Sequence, residues 1–198
     1  MLTFHHSPGS SSMAVHVALH EVGAPFEARV LSLQAKDTRT PDFLAINPDG
    51  RVPTLVIDGR VLTEVAGCLF YLARAYPAAG LLPAGDVEAE AQVVSWMSFL
   101  ASSVHTAGRQ SPEAVDEAFA VAERRLAGRP WTVGDRYSIS DIHLFRLYWR
   151  FKPAYHLPDG RYPAVEDLYA RVLARPAVQK TIAAETAAGY SLPTSRSP

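Results

Sequence analysis

The stretch from Asn47 to Glu64 constrains this 198-residue chain more than any other. Asp58-Gly59 sits between two short β-rich runs, Thr54–Ile57 and Arg60–Leu62. An Asp-Gly pair at that place is a strong hairpin signal, because a type I′ turn needs positive φ at both central residues. Pro53 heads the first strand, where a missing N–H is tolerated, and is a candidate for the cis isomer. After the hairpin, Thr63 is placed to cap a helix, with Glu64 in its first turn near the positive end of the helix dipole.

On either side the pattern is consistent. Leu2–His6 reads as a strand and Ser7-Pro8-Gly9 as a turn, and Val15, Ala18, Leu19 and Val22 recur at helical spacing until Gly23 and Pro25 stop them. Phe26–Leu33 reads as a second strand, and Thr40-Pro41 opens a short helix over Asp42–Ile46. A further helix, Glu64–Tyr76, carries Val65, Cys68, Leu69, Leu72 and Tyr76 on one stripe. The order β-α-β-α-β-β-α implies one parallel pair, one antiparallel hairpin and helices on both faces of a four-stranded sheet.

Residues 78–86 are dense in Pro and Gly and read as a linker. Beyond it every periodic segment is helical: Val87 to His105, Ser111 to Gly128, and helices opening at Ser138, Pro163 and Pro176, with Gly189–Pro198 expected to be loose. The expected organisation is therefore an α/β thioredoxin-like domain over 1–77, the linker 78–86, and an all-α helical domain over 87–198. Ser138-Ile139-Ser140-Asp141 is a capping box, with Tyr137 and Ile142 as a hydrophobic staple, and is read as structural.

The formal net charge of −1 gives no electrostatic case for nucleic acid or an anionic membrane. No apolar run approaches the roughly 20 residues of a membrane span. One cysteine excludes an intrachain disulfide framework, and no signal peptide is evident, so the cytoplasm is the expected compartment. His16 and His20 lie at i, i+4, a spacing metal sites use, but no third ligand is evident and no metal is expected.

Val52-Pro53, the hairpin, Thr63-Glu64 and the apolar helix resemble the glutathione-binding half of the glutathione S-transferases. Phe4-His5-His6-Ser7-Pro8-Gly9-Ser10-Ser11-Ser12 is similar to the opening of the bacterial beta class, where Ser-Pro-Gly-Ala-Cys-Ser follows an aromatic pair. Aligned on Pro8-Gly9, the class cysteine falls on Ser11, and His5 and His6 replace the aromatic residues. The Ser138–Asp141 box in the helical half is a further signature of the family.

The resemblance implies a cis Val52–Pro53 bond whose backbone pairs with the cysteinyl unit of glutathione. It implies that Glu64 and the Val65 N–H hold the γ-glutamyl end, with Arg51 near a tripeptide carboxylate; Val65 stands where the family often has Ser or Gly. A serine cannot form the mixed disulfide open to a cysteine. Its hydroxyl can instead donate to the sulfur of glutathione and stabilise a thiolate, with Ser11 first choice and Ser10 and Ser12 the others. His105, near the end of the first long helix, is similar to a histidine that approaches the thiol in the beta class. His6, Ser12 and Tyr148 are expected to wall the electrophile pocket.

The expected function is activation of the glutathione thiol for conjugation to, or reduction of, a small hydrophobic electrophile, by a homodimer meeting through the helices Glu64–Tyr76 and Val87–His105. Two alternatives stay open: a glutathione-dependent isomerase of the zeta type, and a non-catalytic binding or dimerisation module.

Overall fold

A computed structural model describes residues 1–83 and 85–192 of the chain. The expected loose tail, Gly189–Pro198, falls outside the described residues from position 193 onward. Two compact units emerge among the described residues: Met1–Tyr76 together with Ala177–Ser191, and Pro77–Pro176. The sequence-derived boundary assigned everything after 87 to the helical half. Packing instead brings the final helix back to the sheet-containing unit.

In the first unit, four strands line up in the order β2-β1-β3-β4. β1 (Leu2–His6) runs parallel to β2 (Phe26–Val30) and antiparallel to β3 (Thr54–Ile57), which pairs antiparallel with β4 (Arg60–Thr63). Period-two alternation buries Leu2, Phe4 and His6 on one face of β1. β2 is shorter than its apolar composition suggested. Its continuation turns away at Ser32, whose N–H donates to the Asp37 carboxylate and whose hydroxyl accepts from the Ala35 N–H.

The hairpin turn forms as its chemistry requires, with φ of 48° at Asp58 and 82° at Gly59. Helix α1 (Met13–Glu21) is buried continuously from Met13 to Leu19, and α2 (Pro41–Ile46) is capped by the Thr40 hydroxyl, which accepts from Phe43 N–H. α3 (Val65–Ala75) buries Val65, Cys68, Leu69 and Leu72 of the expected stripe, while Tyr76 follows the helix as its C-cap and is only half-buried. Thr63 is the last residue of β4 rather than a cap, and Glu64 is the residue at the helix head.

The second unit is helical: α4 (Val87–Phe99), a π-helical stretch (Leu100–Val104), α5 (His105–Ala107), α6 (Pro112–Leu126), α7 (Ile139–Ala154) and α8 (Pro163–Leu173). The expected single helix from Val87 to His105 is thus regular α-helix only as far as Phe99, because a five-residue π stretch interrupts its ladder just ahead of His105. The chain then returns as α9 (Pro176–Ala187), which buries Val178, Thr181 and Glu185. Among the described residues no helix is long and apolar enough to cross a membrane.

Candidate active site

The loop from Ser7 to Ser12 carries three serines, and its hydrogen bonds distinguish them. Ser12 Oγ donates to the Ser7 carbonyl at 3.1 Å and accepts the Ser7 N–H at 3.2 Å. Its second lone pair faces Ser10 Oγ at 2.6 Å, and Ser10 Oγ accepts the Ser12 N–H at 3.2 Å. Since the Ser12 proton goes to a carbonyl, the proton between the two hydroxyls is donated by Ser10. Both protons are therefore committed to holding the loop. Ser11 differs: its hydroxyl points at the Val52 carbonyl at 3.4 Å, a long bond and a weak one.

Ser12 sits at the head of α1 without a side-chain bond to that helix. The ordinary capping role expected of serines at such a place is thus absent, and Ser12 is tied back to Ser7. Gly9 has φ of 71°, and a Cβ there would meet the Tyr190 ring at 1.9 Å. Only glycine lets the ring from the end of α9 lie against the loop.

The other side of Ser11 is the segment before β3. The Val52–Pro53 peptide is cis. Asn47 Nδ2 donates to the Arg51 carbonyl and to Thr54 Oγ1, both at 2.9 Å, and Thr54 Oγ1 donates to that same carbonyl at 2.9 Å. Buried Asn47 and Thr54 thereby fix the backbone on which Val52 is presented, while the Arg51 side chain is exposed.

Glu64 adopts φ 66° and ψ 137°, a sparsely populated region costing about 1–3 kcal/mol for a residue with a side chain. Its side chain is exposed, and the helix it heads makes its first ladder bond from Cys68 N–H to the Glu64 carbonyl. The N–H groups of Val65, Ala66 and Gly67 precede that bond and sit at the positive end of α3. The Val65 side chain is buried in the core, so its bulk does not crowd these N–H groups. Cys68 is a buried core residue whose thiol is pushed up to about 12 by burial.

A cluster of imidazoles lies behind the serine loop. His6 stacks on Phe4, and His16 packs against both His6 and His20. Burial, with the His16 neighbour second, pushes both His6 and His20 down to about 4. Glu185 from α9 completes the group: its Oε2 accepts the Gly9 N–H at 2.7 Å and its Oε1 lies 3.3 Å from His16 Nδ1. Sequence reasoning missed Glu185. The available signal was a glutamate on the buried stripe of α9, in register with Val178 and Thr181.

In the second unit, His105 follows the π stretch and is half-buried. Burial, then the charges of Arg146 and Arg109, push it down to about 4, so its ring is neutral near pH 7. The dipole of a helix C-terminus would act the other way and is outweighed. Asp141 is fully buried and accepts from the Ser138 N–H and the Thr132 N–H, both at 2.7 Å, which makes the capping box structural as expected.

The expected electrophile wall needs correction. His6, Ser12 and Tyr148 are all buried: His6 in its stack, Ser12 in the loop network, and Tyr148 against Phe119 and Tyr169. None offers surface to a ligand in this structure.

Residues 10–75 match the family model described as the N-terminal domain of glutathione S-transferase, and residues 103–176 match the one for its C-terminal domain. A glutathione S-transferase from Xanthomonas campestris is 30% identical, the match covering 90% of this chain and 96% of that one. A sphingomonad glutathione S-transferase solved in complex with glutathione is 34% identical, with a TM-score of 0.83 over 93% of this chain and 98% of that one. The bacterial beta-class enzyme of Sphingomonas chungbukensis is 31% identical, with a TM-score of 0.82 over 92% and 98%. With the sheet order, the Ser11–Val52 contact and the head of α3 already pointing the same way, these matches establish that the chain belongs to the glutathione S-transferase family.

Proposed function

We propose that this chain is a glutathione transferase in which Ser11 faces the sulfur of glutathione and the activated thiolate attacks a small hydrophobic electrophile. The observation that carries the assignment to Ser11 is the division of labour in its loop. Ser10 and Ser12 have spent their protons, whereas Ser11 holds only a 3.4 Å contact to Val52.

The remaining parts follow from the first unit. The Val52 backbone pairs with the cysteinyl residue, Glu64 takes the ammonium of the γ-glutamyl group, and the open N–H groups at Val65 receive its carboxylate. Exposed Arg51 stands ready for the other carboxylate. A free thiol titrates near ~8.5, so little thiolate exists at neutral pH. Lowering that value by about two units takes roughly 2.7 kcal/mol of preference for the anion. One charge-assisted hydrogen bond from Ser11 and the N-terminus of α1 are of the right size together.

The thiol proton leaves to solvent. The thiolate then forms a carbon–sulfur bond with the electrophile while the leaving group departs with its electron pair. Neither step calls for a metal. Exposed Phe70 on α3, and Val87 and Val94 on α4, place apolar surface on the two helices through which the proposed homodimer would meet. Sedimentation at micromolar concentration tests that assembly, and a pure monomer would refute it. The proposed compartment is the cytoplasm.

Conjugation of a chlorinated aromatic to glutathione tests the function. The wild-type chain is expected to release chloride and form the thioether, and Ser11→Ala to lose about a hundredfold in kcat/KM, the usual cost of removing one donor from a developing anion. Ser11→Ala with wild-type activity would remove Ser11 from the mechanism. No glutathione binding at millimolar concentration would reduce the chain to a binding or dimerisation module.

A further inference from the structure

We propose that His6, His16 and Glu185 form a site for one divalent zinc-like cation inside the first unit, holding β1, α1 and α9 together behind the serine loop. One donor atom from each residue lies within 4.8 Å of the others, and all three residues are buried. His6 and His16 come from consecutive elements, β1 and α1, and Glu185 from α9, 169 residues beyond His16, so the convergence belongs to the tertiary fold.

A buried carboxylate needs paired charge or several donors, because desolvation of the anion is expensive. Glu185 is 1% exposed and makes one bond to the Gly9 N–H and one to His16. His6, at 2% exposed, has a buried Nδ1 with no hydrogen-bond partner. A well-packed core does not ordinarily leave an imidazole nitrogen unused beside a carboxylate. A divalent cation removes both costs, neutralising Glu185 and occupying a lone pair of His6.

The donors also select the metal. Two imidazoles and one carboxylate suit zinc or a neighbouring transition ion, whereas magnesium and calcium want oxygen. Tetrahedral zinc with bonds of about 2.0–2.1 Å sets its donors roughly 3.4 Å apart. His16 Nδ1 and Glu185 Oε1 already stand 3.3 Å apart, and the His6 nitrogen, within 4.8 Å of its partners, would draw in by up to about 1.4 Å to close the two remaining edges. Water takes the fourth position. The histidines bind a cation in their neutral form. His20 packs beside His16 as a wall, not as a ligand.

The role is structural. Glu185 Oε2 keeps the Gly9 N–H, so the cation would anchor the loop that carries Ser11 without entering the reaction. The assignment is independent of glutathione binding and stands or falls separately from it.

The test uses the full-length chain, purified without a histidine tag and stripped with a chelator. Zn2+ titrated by calorimetry, and Co2+ followed by its visible absorption, are expected to bind at one equivalent per chain and to raise Tm. His6→Phe keeps the stack on Phe4, and Glu185→Gln keeps an acceptor for Gly9. Each should weaken binding by more than about tenfold, since even supporting residues around a metal cost that much. His20→Gln should bind as the wild type does. If His6→Phe fails to fold, Glu185→Gln carries the test. Uptake well below one equivalent, binding that survives both ligand substitutions, or loss confined to His20→Gln would overturn the site.

Discussion

Two serine-rich segments, Ser10–Ser12 ahead of α1 and Ser138–Asp141 ahead of α7, begin from similar letters and end in different conditions. In the second, Ser138, Ser140, Thr132 and Asp141 are all buried and bonded to one another, with Ser140 Oγ 2.6 Å from Thr132 Oγ1 and 2.9 Å from Ser138 Oγ. Asp141 absorbs two backbone N–H groups and the Ser138 hydroxyl. Every proton has a destination within the box. In the first, the carboxylate is missing from the local sequence, two hydroxyls lock the loop, and the third has only a weak acceptor in reach. A closed inventory of donors makes a cap, whereas one donor left over beside an accessible backbone makes a site.

The largest expected effect lies on the closed side. Asp141→Ala would strand two buried N–H groups and a hydroxyl, at about 1–3 kcal/mol for each unsatisfied group, so denaturant unfolding should show a loss of at least about 3 kcal/mol. Activity per folded molecule should be unchanged. A loss of activity without a loss of stability would erase the contrast between the two segments.

Ser12→Ala should be intermediate. It removes the acceptor of the Ser7 N–H and frees the Ser10 proton, costing about 1–2 kcal/mol of stability together with a severalfold loss of conjugation as the loop loosens. Ser10→Ala is the mildest, because the Ser12–Ser7 bonds that hold the loop survive it. Unfolding should change by less than about 1 kcal/mol and conjugation should stay within about twofold. An activity loss in Ser10→Ala matching that of Ser11→Ala would move the thiol partner to Ser10.

The hairpin and its neighbours were legible because their signals are local: Asp58-Gly59 for the turn, Thr40-Pro41 for α2, the apolar stripe for α3 and the box at Ser138. Two kinds of feature were not. The π stretch ahead of His105 keeps the apolar spacing of an ordinary helix closely enough that residue periodicity reads straight through it. The return of α9 depends on contacts such as Gly9–Glu185, separated by 176 residues, which no local pattern encodes. For the same reason His16 and His20 looked like an incomplete pair, since His6 and Glu185 reach His16 only through the fold. Spacing from Pro8-Gly9 likewise only ranked the three serines, with Ser11 first, and did not separate them. Their hydrogen bonds, set by where Ser7 and Val52 lie, separate them.

The most direct measurement of the central claim is the pKa of the glutathione thiol when bound, read from thiolate ultraviolet absorbance across a pH series with wild-type chain and with Ser11→Ala. Wild type is expected to bring the thiol about two units below its free value of ~8.5, and Ser11→Ala to return most of that shift while still binding the tripeptide. Bound glutathione titrating at its free value in the wild-type chain, or an equal shift in Ser11→Ala, would contradict it.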